Sequence, residues 1–144
     1  MDELKIRDME QDEDFAVWFS ELAAESEDAA GWGNPVNDRY LVLSNEIGDW
    51  IGGVRFSLRG GVANLLDVAV VPTERHQGHA HRLLAAFEER AREAGAHLAE
   101  FWTDDLESEG LLGALGWRVL LRRRGYIGGR TWALMEKELG ADLP

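Results

Sequence analysis

The residues with the clearest capacity for chemistry form a short polar segment, Arg-His-Gln-Gly-His-Ala, at positions 75–80. A strand-like apolar run precedes it and stops at Pro72, and apolar residues at helical spacing follow it. The first N–H groups of a helix lack internal partners, and that end of the helix is positive. Because Gly78 has no Cβ and Arg75 adds a charge, the segment is suited to bind a pyrophosphate.

The same segment resembles the acetyl-CoA-binding signature of the GNAT superfamily of N-acyltransferases. That signature is valine-x-proline, then Arg or Gln, two residues, Gly, one residue, and Gly or Ala. Positions 70–72 read Val-Val-Pro, and positions 75–80 supply the remainder. A second stretch, Leu-Leu-Gly-Ala-Leu-Gly-Trp at 111–117, resembles the leucine-tyrosine-x-x-leucine-glycine-phenylalanine segment of the family.

The resemblance implies that the acyl donor is an acyl-CoA, with acetyl-CoA as the expected cosubstrate, and that the acceptor is a primary amine. The pantetheine arm would lie between the splayed strand ends at 68–71 and 101–104. A deprotonated amine would attack the thioester, and a backbone N–H near Val70 would stabilise the oxyanion. The implied cofactor contacts are Val68, Ala69, Val70, Arg75, His76, Gln77, Gly78, His79, Ala80 and Asp105.

Two positions depart from the family pattern. Leu112 stands where a tyrosine often protonates the departing thiolate, and Asp105 stands where an asparagine often contacts the cofactor arm. Tyr126 or water is therefore the candidate acid. Loss of the tyrosine also leaves an alternative function open, a catalytically weak acyl-CoA-binding module that acts as a sensor or partner domain. Release of free CoA over a panel of amines distinguishes the two functions.

Three carboxylates are candidate general bases because they lie on the strands expected to flank the site. They are Asp67, Glu100 and Asp104. A base must reach the amine directly or through one water, and each carboxylate is equally well explained as a solvated side chain. The spacing of His76, His79 and His81 points their side chains in different directions, so we expect no metal site.

The six tryptophans fall into two groups, those expected to pack and those that are candidates for a binding pocket. Trp18, Trp117 and Trp132 lie in core-like patterns and are expected to pack. The remaining candidates for an acceptor pocket are Trp32, Trp50 and Trp102.

The order of elements predicts a single α/β domain over residues 1–144. Strands are predicted at 4–7, 39–44, 50–58, 63–71, 96–103, 118–121 and 131–139, and a loop is predicted at 28–38. Helices are predicted after Asp12, which can cap the first, over 80–95 and over 108–115. The helix at 80–95 has an apolar stripe, and Gly95 can serve as its C-terminal stop. Short turns make most strand pairs antiparallel, and 63–103 forms one parallel crossover. The expected architecture is a mixed, mostly antiparallel sheet of about six to seven strands flanked by helices.

Composition narrows the partners and the compartment. A formal net charge of −12 argues against nucleic acid, which needs clustered Lys and Arg. The acidity serves either the solubility of the protein or an acidic rim that attracts a cationic amine. There is no cysteine, no run long enough to cross a bilayer and no secretory signal pattern at residues 1–5. We therefore expect a cytoplasmic protein, and the family resemblance adds a mild expectation of a homodimer.

Overall fold

The computed structural model describes residues 5–10, 12–29 and 38–140, with side chains described only to residue 23 in the first helix. The chain divides into two compact units, Met1–Pro35 and Val36–Pro144. The smaller unit contains helix α1, Glu13–Ala29. The Asp12 carboxylate accepts the Phe15 N–H at 3.1 Å, which confirms the predicted cap. The Trp18 ring lies 5.5 Å from the Phe15 ring, between centroids, but its side chain is 57% exposed and does not have the core position expected for it.

The strand predicted at 4–7 is not formed by its described residues. Residues 5–10 have no regular secondary structure, and Leu4 lies outside the described part of the chain. The Ile6 side chain is fully exposed, and no described residue pairs with this segment as a strand requires. Trp32 and most of the predicted loop at 28–38 also lie outside the described residues, while residues 28 and 29 belong to α1.

The larger unit is a six-stranded mixed sheet in the order β1-β2-β3-β4-β6-β5. Its elements are β1 Asp38–Ser44, β2 Trp50–Arg59, β3 Val62–Val70, α2 His79–Glu93, β4 Leu98–Thr103, α3 Leu106–Ala114, β5 Arg118–Arg123 and β6 Trp132–Glu138. Only β3 and β4 pair in parallel, across the α2 crossover. The predicted mixed, mostly antiparallel α/β architecture is confirmed.

Helix α2 supplies the core on one face of this sheet. Its predicted apolar stripe is buried, and Phe87 meets Phe56 of β2 edge to face at 5.2 Å between ring centroids. The helix ends where Gly95 takes a φ of +90°, a conformation that favours glycine, so the predicted stop is confirmed. Burial of this stripe fixes the direction of α2 and therefore the position of its N-terminus.

Strands β3 and β4 separate after the first three residues of each strand. They pair only from Val62–Leu98 to Asn64–Glu100, although β3 continues to Val70 and β4 to Thr103. On its other side β3 stays paired with β2 up to Val70, apart from one extra residue at Leu66. The sheet therefore opens between β3 and β4, at the end where the 75–80 segment begins. None of the described helices has the length and apolar character needed to cross a membrane.

Candidate active site

The segment between β3 and α2 makes a sharp turn that leads into the helix. Pro72–Glu74 forms a short 3-10 turn, and Gly78 then takes φ 81° and ψ 8° directly before α2. His76 is the one described non-glycine residue with a positive φ, at 63°. Such backbone conformations cost energy outside glycine and cluster at functional sites. The turn leaves the first N–H groups of α2 at an open surface, where an anion can accept them.

A cleft of about 690 Å³ lies beside this turn, and we call it the β3–α2 cleft. It is lined by Val68, Ala69, Val70, Glu74, Arg75, His76, Gly78, His79, Ala80, His81, Asp105, Glu107, Ser108 and Leu111. It therefore joins the end of β3, the turn, and the starts of α2 and α3. All the sequence-predicted cofactor residues line it except Gln77.

Sequence reasoning missed the contribution of α3 to this cleft. Ser108 and Leu111 are three residues apart on one helix face, which is the spacing that brings both side chains to one surface. That spacing was visible in the sequence, but the strand opening that exposes this face depends on long-range pairing.

The end of β3 directs backbone groups into the cleft. The Val71 N–H donates to the Ile51 oxygen of β2 at 2.8 Å. Because successive residues of a strand point their N–H groups to opposite sides, the N–H and C=O of Val70 point away from β2. The Val70 oxygen accepts Nε of Arg75 at 3.0 Å. Arg75 therefore braces the turn against β3 as well as bringing positive charge to the cleft.

An acidic residue of the turn lies close to a histidine. The Glu74 carboxylate is 3.5 Å from Nε2 of His79, and it forms an ion pair when the imidazole is protonated. The other ring nitrogen of His79 is buried and has no hydrogen-bond partner among the described residues. His79 thus has an unused polar atom at the start of α2.

Asp105 caps helix α3 at the edge of the cleft. Its side chain accepts the Glu107 N–H at 3.2 Å and the Ser108 hydroxyl at 2.9 Å. The hydrogen bond from Ser108, followed by that from Glu107, holds the pKa of Asp105 below its ordinary value. Asp105 is therefore a carboxylate at neutral pH, in a cleft whose other features favour an anion.

Two of the candidate bases are engaged in ion pairs. Asp67 accepts Nη2 of Arg55 at 2.7 Å, and the Asp104 carboxylate lies 3.0 Å from Nε of Arg130 in an ion pair. The bond to Asp67 raises the pKa of the Arg55 guanidinium. Glu100 has no ion-pair partner within the described ranges, and it lies at the last β3–β4 pair before the strands separate. None of the three carboxylates lines the β3–α2 cleft, so the structure does not bring the predicted bases together with the predicted cofactor residues.

Tyr126 belongs to an aromatic cluster at the turn between β5 and β6, outside the cleft lining. Its ring lies 5.3 Å from Trp102 and 6.5 Å from Trp132, between centroids. The Arg123 guanidinium lies 4.8 Å from the centre of the same ring. The Trp132 indole donates to the Ile127 oxygen at 2.9 Å. This packing accounts for Tyr126, Trp102 and Trp132 without a catalytic role.

Leu112 lies in the hydrophobic core with a relative exposure of 1%, together with the predicted core residue Trp117. The neighbouring residue Leu111, not Leu112, lines the cleft. A tyrosine at 112 would have to enter a packed core, so a simple restoration of the family residue would overpack it.

Known acetyltransferases are similar to this chain in sequence profile and in structure. The profile of the acetyltransferase (GNAT) family matches residues 4–117. An acetyltransferase from Bacillus cereus has a similar structure, with 20% identity, a TM-score of 0.73 and coverage of 92% of this chain and 98% of that one. A protein from Agrobacterium tumefaciens assigned as an acetyltransferase is also similar, with 21% identity and a TM-score of 0.76. The match covers 94% of this chain and 98% of that one.

A Bacillus subtilis acetyltransferase solved in complex with CoA is also similar in structure. Its identity is 16% and its TM-score 0.59, with 63% of this chain and 70% of that chain covered. No curated protein matches the sequence.

Proposed function

The chain belongs to the GNAT acetyltransferase family, and from that premise we propose that it transfers an acetyl group from acetyl-CoA to a primary amine in a ternary complex. The observation that carries the proposal is the β3–α2 cleft. One continuous surface there joins a helix N-terminus preceded by a left-handed glycine to the edge of an opened sheet. That combination offers a place for a pyrophosphate and a slot for the arm attached to it.

In this proposal the pyrophosphate accepts the N–H groups at the start of α2. Arg75 contributes a charge close by, and the pantetheine arm lies in the opening beside Val68, Ala69 and Val70 of β3. α3 covers the arm from the other side through Leu111 and Ser108. The protein thus acts mainly by positioning the thioester beside the acceptor.

The proposed oxyanion donor is the N–H of Val70. It points to the unpaired side of β3, since its neighbour Val71 is bonded to β2. A fixed backbone donor of this kind stabilises the charge that develops on the thioester oxygen. The amine nitrogen forms a bond to the carbonyl carbon, the carbon–sulfur bond breaks, and the thiolate leaves. The amine proton passes to solvent water, because Glu100 pairs with Asn64 and therefore lies on the order of 15–20 Å from Val70 along β3.

The first test is acetyl-CoA binding followed by turnover. Ligand at about 100 times its dissociation constant should stabilise the fold by about 2.7 kcal/mol, measured as a thermal shift. Release of free CoA should then depend on an added amine. Binding without release over a broad amine panel would support the CoA-binding module instead. A melting temperature unchanged by millimolar acetyl-CoA would contradict both.

A matched pair of glycine variants locates the phosphate site. Gly78 and Gly48 both have positive φ, 81° and 97°, and an added Cβ would meet nothing within 4 Å at either position. Gly78→Ala and Gly48→Ala should therefore lose similar stability, on the order of 1 kcal/mol. Only Gly78→Ala should weaken acetyl-CoA binding in calorimetry, because its methyl group stands where the anion approaches. Equal affinities in the two folded variants would place the phosphates elsewhere.

A further inference from the structure

A second concavity lies at the same end of β3, toward β2. It has a volume of about 360 Å³, and we call it the β2 recess. Its lining residues are Val42, Trp50, Gly52, Gly53, Ala69, Val70 and Val71. Ala69 and Val70 also line the β3–α2 cleft. The two concavities therefore meet at the strand segment where the proposed reaction takes place.

The register of the sheet explains the shape of the recess. Val42 pairs with Gly53, and Gly53 pairs with Ala69, so the three residues face one side of three adjacent strands. Gly53 has no side chain and Ala69 has only a methyl group, which leaves a low floor. The floor cannot easily be filled, because a Cβ on Gly53 would lie 2.9 Å from the Leu41 oxygen.

The walls of the recess are apolar and exposed. Trp50 has a relative exposure of 79%, and Val42 is also exposed. Every lining residue is a glycine, an alanine, a valine or a tryptophan. An ion or a sugar would find no side-chain partner here, whereas a ring or branched alkyl group would remove apolar surface from water on both sides.

The next row of side chains on this sheet limits the apolar surface. There Tyr40 pairs with Arg55 and Arg55 with Asp67, and the Arg55 guanidinium also bonds Asp38 at 3.2 Å. These charged groups are exposed and paired with one another. An extended chain would have to desolvate them, so the recess suits one compact apolar group.

We propose that the β2 recess binds the apolar group of the acceptor, and that the acceptor is an arylalkylamine or a similarly compact hydrophobic amine. This inference rests on the proposed acyl transfer. The ring lies against Trp50 over Gly53, and the amine nitrogen reaches toward Val70, where the two concavities meet. Trp50 and Val42 are specificity-determining residues, and neither lines the β3–α2 cleft.

The test measures acceptor binding separately from turnover. 4-Fluorophenethylamine is titrated into the full-length protein saturated with CoA, a complex that cannot react, and its fluorine NMR signal reports binding. Trp50→Ala should weaken this binding about tenfold, as loss of an aromatic contact usually does. Tyr40→Ala is the matched control, because Tyr40 is an exposed aromatic residue on the neighbouring strand outside the recess, and it should bind as the wild type does.

Turnover completes the assignment. The wild type should favour phenethylamine over ethanolamine in kcat/KM, and Trp50→Ala should remove that preference while acetyl-CoA affinity stays unchanged. If Trp50→Ala fails to fold, Val42→Lys makes the same test. Val42 is an exposed residue of the edge strand β1, and a lysine there places a charge in the β2 recess, which should weaken binding of the aromatic amine. The inference is overturned if binding of the fluorinated amine is equal in wild type and variant, or if Trp50→Ala instead weakens binding of hexanoyl-CoA relative to acetyl-CoA.

These outcomes separate the two proposals. If amine binding depends on Trp50 but no amine causes release of CoA from acetyl-CoA, the β2 recess is an amine site and the proposed acyl transfer is rejected. If polar amines are acetylated and neither Trp50→Ala nor Val42→Lys changes the rate, the proposed acyl transfer holds and the β2 recess is not the acceptor site.

Discussion

Individual charges in the β3–α2 cleft oppose one another. The lining contains the carboxylates Glu74, Asp105 and Glu107 beside Arg75, although the proposed ligand is an anion. Glu74 is near His79, and Asp105 is held ionised mainly by the Ser108 hydroxyl. The helix N-terminus must therefore attract the pyrophosphate against nearby negative charge, and removing one carboxylate should strengthen binding.

Asp105→Asn should raise CoA affinity roughly threefold to tenfold, since a unit charge is removed at the edge of the cleft. Asparagine caps helices as well as aspartate does, so the fold should keep its stability at neutral pH. Calorimetry with CoA measures the effect. Glu93→Gln is the control, because Glu93 is at the opposite end of α2 and its loss should leave the affinity unchanged. Weaker binding in Asp105→Asn would mean that the carboxylate itself contacts the cofactor arm.

The same variant has a predictable pH dependence of folding. The pKa of Asp105 is lowered by folding, so its contribution to stability is complete above the ordinary aspartate pKa of about 3.9. That contribution is lost as the pH falls through the lower pKa of the folded state. Asp105→Asn should therefore lose less stability than the wild type during acid unfolding.

At the scale of elements, a buried carboxylate anchors the C-terminal half of α2. The Glu88 side chain has a relative exposure of 7%, and its carboxylate forms an ion pair with Nζ of Lys137 at 2.7 Å. The same Nζ donates to the Leu115 oxygen at 2.7 Å, and Arg92 lies 3.6 Å from Glu88. One network thus connects α2 with β6 and with the end of α3. The helix whose N-terminus forms the cleft is held at its other end by this network.

Lys137→Met should lower the free energy of unfolding by on the order of 3 kcal/mol, because it leaves Glu88 buried with only Arg92 as its charged neighbour. Urea unfolding measures the loss. Arg55→Met removes the exposed ion pairs with Asp67 and Asp38 and should cost much less, because water solvates these groups well. The double variant Glu88→Leu/Lys137→Met should recover much of the loss. A small effect of Lys137→Met, equal to that of Arg55→Met, would show that water already solvates Glu88.

Element types were predictable from the sequence because they depend on local patterns. The apolar stripe of α2, the Asp12 cap and the Gly95 stop each require only a few neighbouring residues. The strand expected at 4–7 also fits a local pattern, but a strand needs a partner that no local pattern supplies. Most of the residues that line the β3–α2 cleft were likewise predicted, by a contiguous motif.

The rest of the site depends on register. The β2 recess exists because Val42, Gly53 and Ala69 align across three strands, and no sequence pattern specifies that alignment. The anchor of Arg75 on the Val70 oxygen and the burial of Leu112 are similar cases. Each depends on which residues the sheet brings together from distant positions in the chain.

For the whole molecule, a net charge of −12 acts on the two proposed substrates in opposite directions. Acetyl-CoA carries phosphates and is repelled at long range, so its encounter with the protein relies on the local field of the cleft. A cationic amine is attracted toward the same surface. These long-range effects act beyond the contact distance and are screened by salt, with a Debye length of about 20 Å at 20 mM and 7 Å at 200 mM.

Raising the ionic strength from about 20 mM to about 200 mM should therefore have opposite effects on the association of acetyl-CoA and on the use of a cationic amine. Association of acetyl-CoA, followed by stopped flow, should become faster, because screening removes repulsion from the acidic surface. The kcat/KM for a cationic amine should fall, roughly twofold to fivefold, because screening removes attraction. Aniline, an aromatic amine that is uncharged near neutral pH, serves as the control acceptor and should show little change. If acetyl-CoA association instead slows with salt, the positive end of α2 and Arg75 dominate the encounter even against the charge of the whole chain.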